Sequence, residues 1–190
     1  MKIKEHRNAD MIKYIALLRG INVGGKNPVS MKELKESLEE NGFEKVVTYI
    51  NSGNIIFSSD NSDVEFLKRK CEALILERFK LEISVVIISG GELIETLNNA
   101  PDWWDADNES KHNAIFVIPP TTVDEVIKEV GEAKPEYEKI SISGRVIFWS
   151  APLKTFSRTR WSKIVGKPVY NRVTIRNANT VKNLVKLCTS

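Results

Sequence analysis

The chain has 190 residues, of which 42% are hydrophobic, and a formal net charge of +3. Such a chain can bury a core as one large domain or as two of about 90 residues, without disulfides or metals. Its apolar runs are too short to cross a bilayer and its polar start lacks a signal peptide's apolar stretch, so we expect a cytoplasmic protein with no membrane partner.

The cysteine and histidine content argues against metal or disulfide chemistry. Cys71 and Cys188 fall at apolar positions of helical patterns, which predicts buried and reduced thiols. With only His6 and His112 and no CxxC pair, no metal site is expected. No cofactor is expected either, since no cofactor motif is present.

The first half predicts a βαββαβ unit after a disordered extension over residues 1–10. Its elements are a strand over 12–18, a helix over 30–41, strands over 45–50 and 54–59, a helix from Ser62, a strand over 83–89 and a short helix over 91–98. Two Ser-x-x-Glu sequences, at Ser30 and at Ser62, predict capping boxes at the starts of both long helices. We therefore assign residues 11–99 to a first subdomain with the split βαβ, or ferredoxin-like, order.

The second half predicts the same order of elements, which favours a duplication. Its elements are a strand over 113–118, a helix boxed by Thr122 and Glu125, a hairpin, a helix within FSRTRWSKIVG, a strand at VTI and a closing helix over 179–188. The hairpin sequences SGNIIFSS and SGRVIFWS also match each other. The predicted fold is therefore α+β, with a second βαββαβ subdomain over 113–190, and each subdomain is followed by a helix.

An acidic linker is predicted over residues 100–112, between the two subdomains. Its two adjacent tryptophans, Trp103 and Trp104, have two possible roles. They either cap a hydrophobic gap between the subdomains or form a stacking platform for a base or sugar.

A glycine-rich stretch resembles a phosphate-binding loop but departs from it. GINVGGK matches GxxxxGK, yet Asn27 stands where Ser or Thr would hold Mg²⁺. The next helix begins only at Ser30, and the following hairpin contradicts the parallel sheet of P-loop proteins. A P-loop NTPase is therefore not predicted.

The same loop keeps two simpler interpretations. Gly24 and Gly25, flanked by Arg19 and Lys26, could bind an anion through backbone amides. Alternatively, the two glycines only permit positive φ in a tight turn after the first strand.

The distribution of charge is strongly asymmetric. Residues 139–190 contain eleven Lys or Arg and no Asp or Glu, whereas residues 1–138 hold the other 17 basic and all 25 acidic residues, a formal charge of −8. Arg158, Arg160 and Lys163 lie among Phe156 and Trp161, a mixture suited to phosphate contacts and stacking. The alternative is a solvated face that pairs with the acidic half.

The segment TIRNANT predicts a junction between a strand and a helix. Asn177 or Asn179 would cap the helix, and Arg176 beside a free helix N-terminus would suit an anion. No catalytic motif such as GxSxG or HExxH is present, which leaves enzymatic activity open.

Three segments together, YIALLRGINVGGKNPVSMKEL, VTYINSGNIIFSS and TIRNANTVKNL, carry a resemblance to a known family. The chain resembles the bacterial family called domain of unknown function 1697. The resemblance implies an α+β fold of two related subdomains and carries no established activity. By position in these segments it also marks Arg19 to Lys26, Tyr49 to Phe57 and Thr174 to Thr180 as candidate site residues.

These observations favour a cytoplasmic protein that binds a phosphate-bearing ligand, a nucleotide or a nucleic acid. The ligand-binding candidates are Arg19, Asn22, Gly24, Gly25, Lys26, Ser52, Asn54, Arg158, Arg160, Lys163, Arg176, Asn177 and Asn179. The alternative is a small enzyme with a cleft between the subdomains, in which Arg19, Asn22, Arg176 and Asn177 hold an oxyanion or phosphate.

Overall fold

A computed structural model describes residues 11–190 of the chain, so the extension predicted over residues 1–10, with His6, lies outside the described residues. The first half folds as a four-stranded antiparallel sheet in the order β2-β3-β1-β4. Its elements are β1 (Ile12–Leu18), α1 (Met31–Glu40), β2 (Glu44–Tyr49), β3 (Asn54–Ser59), α2 (Val64–Phe79) and β4 (Val85–Ser89), followed by α3 (Gly90–Asn98). This is the predicted ferredoxin-like arrangement.

The second half forms a sheet with the same topology, in the order β6-β7-β5-β8. Its elements are β5 (Ser110–Val117), α4 (Val123–Val130), β6 (Lys139–Ser143), β7 (Val146–Pro152), three 3₁₀ helices (Leu153–Arg158, Trp161–Gly166 and Pro168–Arg172), β8 (Val173–Asn177) and α5 (Ala178–Thr189). The α+β class and the two related sheets are as predicted. The origin of the two halves by duplication stays a prediction.

The predicted helix within FSRTRWSKIVG is wrong, because three 3₁₀ helices, here called the 3₁₀ segment (residues 153–172), take its place. Tertiary acceptors capture backbone amides in this segment. The Glu138 carboxylate accepts hydrogen bonds from the amides of Arg160 (2.7 Å) and Trp161 (3.1 Å), and the Glu129 carboxylate accepts one from Val169. Amides bound to these carboxylates are not available for a regular ladder of i to i−4 bonds, and Pro168, at the start of the third 3₁₀ helix, has no backbone N–H.

Three apolar clusters hold the layers together. One lies between the first sheet and helices α1 and α2, and another lies between the outer face of the second sheet, α4 and the 3₁₀ segment. The middle cluster joins the inner faces of both sheets to α3 and α5. Alternation along β1 divides Tyr14, Ala16 and Leu18 from Ile15 and Leu17, so both faces of this strand are buried.

The capping boxes predicted at the helix starts are confirmed in part. Thr122 and Glu125 form the complete predicted capping box. At α1 the Ser30 hydroxyl accepts from the Glu33 amide, but the Glu33 carboxylate pairs with Arg78 instead of closing the box. The box predicted from Ser62 is wrong, because the carboxylate of the following residue, an aspartate, is better placed and caps the amide of Phe66 at 2.9 Å.

The predicted linker is shorter than expected, since β5 begins at Ser110. Trp104 is buried in the middle cluster, meets the Phe148 ring edge-on at 4.9 Å and donates from Nε1 to the carbonyl of Asn113. Trp103 packs against the same cluster. Of the two interpretations, the rings therefore fill the gap between the halves.

Both cysteines, Cys71 and Cys188, are buried free thiols, as predicted. Burial raises the pKa of Cys71 to about 12. Within residues 11–190, no helix combines the length and apolar character needed to cross a membrane.

Candidate functional site

The glycine loop is a small hairpin that projects from the end of β1. Val23 and Lys26 pair across Gly24 and Gly25, whose φ angles of +57° and +74° match the two central residues of a tight hairpin turn. An added Cβ would meet nothing within 4 Å at either glycine. The glycines are thus required by backbone conformation, which agrees with the simpler of the two interpretations.

Asn22 fixes this loop onto the rest of the subdomain. Its Nδ2 donates to the carbonyls of Val29 and Asn51, both at 2.9 Å, and its Oδ1 accepts from the Val29 amide at 2.9 Å. The side-chain amide is therefore occupied by internal contacts. The loop and the start of α1 border a shallow concavity of about 430 Å³, lined by Asn22, Gly25, Lys26, Pro28, Val29, Ser30, Met31 and Asn51.

Arg176 lies at the junction of the two halves and is only 7% exposed. Its Nε donates to Oδ1 of Asn54 at 2.6 Å, and its Nη2 donates to the carbonyls of Leu18 (2.8 Å), Ser52 (3.0 Å) and Gly53 (3.2 Å). Nη1 donates within β8, to Oγ1 of Thr174 and to the carbonyl of Ile175.

The Arg176 guanidinium is therefore bound by carbonyls and an amide oxygen, and among the described residues no carboxylate pairs with it. Burial lowers its pKa to about 10. The structure uses Arg176, Asn54 and Ser52 to join β8 to the β2–β3 turn.

Arg19 strengthens the same junction from the other side. It donates from Nε to the carbonyl of Tyr170 at 3.0 Å and from Nη2 to Oδ1 of Asn171 at 2.8 Å. Its guanidinium also lies 5.0 Å from the centre of the Tyr170 ring. Arg19 and Arg176, the two arginines suggested as anion holders, therefore both bridge the halves.

The basic residues of the C-terminal half contact different partners. Arg160 donates from Nη1 to the carbonyl of Glu132 at 2.9 Å, and Arg172 pairs with Glu129. Arg158 is exposed over the ring of Tyr137, and Lys163 is exposed on the second 3₁₀ helix. Of the predicted trio, Arg158 and Lys163 thus present free charge at the surface.

A cleft of about 710 Å³ lies on the outer face of the second sheet, and we call it the C-terminal cleft. Its lining residues are Asp105, Asp107, Asn108, Ser110, Lys111, His112, Asn113, Trp149, Phe156, Trp161, Ser162, Ile164, Val165, Ile175, Asn177, Ala178 and Asn179. It exists because the 3₁₀ segment covers less of this sheet face than a full helix would.

A row of side chains crosses three strands at the floor of this cleft. Asn113 of β5 stands in register with Trp149 of β7 on one side and with Asn177 of β8 on the other. Lys111, two residues earlier on the same face, places its Nζ 4.2 Å from the centre of the Phe156 ring. The floor therefore combines ring surface, amides and one cation.

The N-terminus of α5 opens into the cleft. Asn177 is its N-cap and accepts from the Thr180 amide at 2.8 Å, as the junction predicted. Ala178 and Asn179, the first two helical residues, line the cleft, and first-turn amides have no acceptor within their own helix. The first turn contains no acidic residue that would neutralise the helix dipole.

One wall of the cleft is acidic, but its charges are held locally. Asp105 pairs with Lys182 at 2.6 Å. Asp107 accepts hydrogen bonds from the amide of Glu109 and the hydroxyl of Ser110, at 2.8 and 3.2 Å. These contacts fix the loop that forms the wall.

A serine and a histidine meet beside the cleft without forming an accessible nucleophile. Nδ1 of His112 lies 2.6 Å from Oγ of Ser150, and Nε2 lies 3.0 Å from the carbonyl of Asp107. Both side chains are buried, and Ser150 does not line the cleft. Within residues 11–190, no group of three or more His, Cys, Asp or Glu is placed to hold a metal ion.

A second, smaller cavity of about 300 Å³ lies between the two halves, and we call it the inter-subdomain cavity. It is lined by Val64, Glu65, Lys68, Val85, Val86, Ile87, Ile88, Glu92, Glu95, Thr96, Asn99, Phe116, Val117, Pro119, Ser143, Gly144, Arg145 and Val146. The residues predicted to hold an anion between the halves, Arg19, Asn22, Arg176 and Asn177, do not line it.

The structure thus separates the predicted site residues into four places, of which one is the 3₁₀ segment with Arg158, Arg160 and Lys163. The glycine loop borders its own concavity, Arg19, Ser52, Asn54 and Arg176 form the junction, and Asn177 and Asn179 line the C-terminal cleft. Sequence reasoning missed Lys111 and Asn113 in that cleft. Their alternation on β5 would have identified them, had the strand been started at residue 110 instead of 113.

The comparisons with known proteins agree with this architecture. The family model described as a protein of unknown function (DUF1697) matches residues 11–148. The conserved bacterial protein SP0830 from Streptococcus pneumoniae has a similar structure, with a TM-score of 0.84 and 34% sequence identity over 94% of this chain and 99% of that one. No curated protein is similar enough to this chain to count as a match.

Proposed function

We propose that this chain, which belongs to the DUF1697 family of proteins of unknown function, binds a phosphate-bearing ligand in the C-terminal cleft. The observation that carries the proposal is the meeting, in one cleft of about 710 Å³, of an aromatic floor with an open helix N-terminus. Its volume lies within the range of roughly 300–1,000 Å³ that is usual for small-ligand sites.

The floor suits the flat part of a nucleotide. The rings of Trp149 and Phe156 lie 5.6 Å apart, are tilted by 41° and both line the cleft. Trp149 is 4% exposed and Phe156 is half-buried, so Phe156 offers most of the accessible ring surface. Bases and sugars pack on such surfaces irrespective of sequence. The side-chain amides of Asn113 on the floor and of Asn108, which also lines the cleft, can hydrogen-bond to the polar edge of a base.

The start of α5 suits the phosphate. Amide groups of the first turn and the positive end of the helix dipole favour an anion there, and Lys111 adds a cation on the same floor. Lys163 is exposed on the same 3₁₀ helix as the lining residues Ser162 and Ile164 but does not itself line the cleft. A phosphate group would therefore be held by the helix amides and Lys111 together.

The glycine loop and the cleft share no lining residue, so a small ligand in the cleft does not use both. A single-stranded nucleic acid that follows the basic half could reach further, and we include it among the ligands. We place the protein in the cytoplasm because both cysteines are free, as is usual in a reducing compartment.

The test is isothermal titration of the full chain with AMP, ribose 5-phosphate, inorganic phosphate and adenosine. We expect AMP to bind most tightly, and a ligand at 100 times its Kd to raise the free energy of unfolding by about 2.7 kcal/mol. Asn179→Asp should weaken AMP binding about tenfold, because a carboxylate in the first turn suits the helix but repels phosphate. Lys111→Met should act in the same direction.

The matched control is Lys186→Met, since this exposed lysine lies in the last turn of the same helix. It should bind AMP as the unaltered chain does. Equal binding of adenosine and AMP, or unaltered AMP binding by both cleft variants, would contradict the proposal.

A small enzyme remains the second candidate function, and one observation favours it. The inter-subdomain cavity of about 300 Å³ is a cleft between the halves, and five charged side chains line it: Glu65, Lys68, Glu92, Glu95 and Arg145. Any chemistry there would rely on these residues and not on Arg19 or Arg176, whose guanidinium groups are taken up by the junction.

A further inference from the structure

We propose that the inter-subdomain cavity is a second binding site, for a small zwitterion with an apolar body, such as a hydrophobic amino acid. The proposal is independent of a phosphate ligand in the C-terminal cleft, because the two cavities share no lining residue. It follows from three features of the cavity: an apolar floor, a cationic end and an acidic wall.

The floor is apolar and contributed by both halves. Val86 and Ile88 of β4 belong to the middle cluster, as do Phe116 of β5 and Val146 of β7, and all four line the cavity. An enclosed space with such walls favours an apolar group over water.

The cationic end is formed by two side chains that reach the same short turn. Lys68 of α2 donates from Nζ to the carbonyl of Pro119 at 3.4 Å, and Arg145 donates from Nη1 to the carbonyl of Thr121 at 3.2 Å. Since these carbonyls are two residues apart in the chain, the two cations lie at one end of the cavity.

The Lys68 ammonium is poorly compensated for its burial. Its side chain is 15% exposed, yet its nearest carboxylate oxygen, on Glu65, is 3.8 Å away and belongs to a half-exposed side chain. Arg145 is exposed and has no carboxylate partner among the described residues. The mostly buried Lys68 ammonium, with incomplete partners, favours an incoming anion, and a guanidinium can form a charge-assisted hydrogen bond to the same carboxylate.

The acidic wall comes from α3. Glu92 and Glu95 are one helical turn apart and line the cavity together with the polar side chains of Thr96 and Asn99. Neither glutamate forms an ion pair within residues 11–190. The wall therefore favours an ammonium group and disfavours a phosphate dianion.

An added peptide strand fits the cavity less well, although β4 is the edge strand of its sheet. The outward amide of Val85 is already bound by Oε1 of Glu72 at 3.0 Å. The first hydrogen bond of an added strand is thus blocked, which leaves a small molecule as the better occupant.

The experiment is isothermal titration of the full chain with L-leucine and L-phenylalanine, beside two analogues of leucine. The analogues are 4-methylpentanoate, which lacks the ammonium group, and 3-methylbutylamine, which lacks the carboxylate. We expect at least one amino acid to bind with a Kd below about 1 mM and both analogues to bind at least tenfold more weakly. If neither amino acid binds, or if an analogue binds as tightly as leucine, the proposal is overturned.

Substitutions of residues that line the inter-subdomain cavity test whether the amino acid binds there. Lys68→Met and Glu95→Gln should each weaken amino-acid binding about tenfold, and Lys111→Met in the C-terminal cleft should leave it unchanged. Arg69→Met is the matched control for Lys68, since Arg69 is exposed on the same helix and does not line the cavity. If Arg69→Met weakens binding as much as Lys68→Met, or if neither Lys68→Met nor Glu95→Gln changes it, the proposed site is wrong. Unfolding midpoints near that of the unaltered chain establish that each variant is folded.

Discussion

Arg176 and Asn54 are 122 residues apart in the chain, yet Nε of the arginine donates to Oδ1 of the asparagine at 2.6 Å in a buried contact. The Asn54 amide group in turn donates to the carbonyl of Tyr49 and the hydroxyl of Ser52. One guanidinium and one amide thus connect the last strand of the second half to the β2–β3 turn of the first. Both residues lie in segments that the resemblance to the family marks as candidate ligand sites.

Replacing Arg176 with Met should destabilise the junction strongly. The substitution leaves the Asn54 Oδ1 and several carbonyls buried without a donor, so we expect a loss of about 3 kcal/mol or more in the free energy of unfolding. Denaturant unfolding measures this loss. The exposed Arg158→Met serves as control and should cost less than about 1 kcal/mol; similar losses in both variants would contradict the role of Arg176.

Gly53→Ala should be far more harmful than Gly144→Ala. Both glycines lie in hairpin turns and have positive φ, +79° and +55°. Gly53 is the last residue before β3, and Gly144 is the first residue after β6. A Cβ on Gly53 would lie 2.7 Å from Cβ of Leu18 and 3.0 Å from the side chain of Ile21, whereas a Cβ on Gly144 meets nothing within 4 Å.

We therefore expect Gly144→Ala to cost about 1 kcal/mol from backbone strain alone, and Gly53→Ala to cost about 2 kcal/mol more from overpacking. Thermal unfolding of the two variants side by side measures the difference. Equal losses would show that steric contact at Gly53 contributes nothing.

Glu138→Gln should loosen the 3₁₀ segment. The buried carboxylate accepts four hydrogen bonds, from the amides of Lys134, Arg160 and Trp161 and from Nε1 of Trp149. A glutamine places an NH₂ group against two of these donors, so we expect a loss of about 2 kcal/mol or more.

Hydrogen exchange should show the effect of Glu138→Gln at the amides of Arg160 and Trp161 before it shows elsewhere. Glu136→Gln, two residues earlier and exposed, is the control and should exchange as the unaltered chain does. Unchanged protection of both amides in Glu138→Gln would contradict the proposed anchoring.

Single-stranded oligonucleotide binding, if it uses the basic half, should depend on Arg158 and Lys163. Replacing both with Ala should reduce the slope of log K against log salt concentration by about 1.4, at about 0.7 for each lost phosphate contact. Arg160 is left in place because its guanidinium donates to the carbonyl of Glu132. The control is the double variant Lys32→Ala with Lys35→Ala, two solvent-accessible lysines of α1. Equal slopes of log K against log salt concentration for all three proteins would contradict the prediction.

The α4 capping box should contribute stability that depends on pH. Hydrogen bonds from the backbone and the hydroxyl of Thr122 lower the pKa of Glu125 below its ordinary value of 4.5. A lowered folded-state pKa means that the contribution is complete above the unfolded-state pKa and is lost as the pH falls through the folded one. The difference in unfolding free energy between the unaltered chain and Glu125→Gln should therefore shrink below pH 4.5. A difference that stays constant between pH 7 and pH 3 would contradict this.

Local patterns predicted most of the fold. Short apolar runs identified the strands, as in IKYIALL, and Thr122 with Glu125 marked the start of α4, because these signals depend on neighbours close in the chain. The order of elements then implied the ferredoxin-like topology of both sheets. The 3₁₀ segment was missed because its conformation depends on Glu129 and Glu138, carboxylates that lie far from it in sequence.

The candidate site depends on tertiary contacts even more than the fold does. The sequence by itself marked Arg176, Asn54 and the glycine loop as candidate positions, through the glycine-rich motif, the junction between a strand and a helix, and the resemblance to the family. Only the tertiary structure decided that Arg176 and Asn54 satisfy each other, and that Lys111, Asn113, Trp149 and Asn177 share one cleft. The physical reason is that hydrogen bonds and cavities form between segments brought together by packing, and such distances are not encoded in any local pattern.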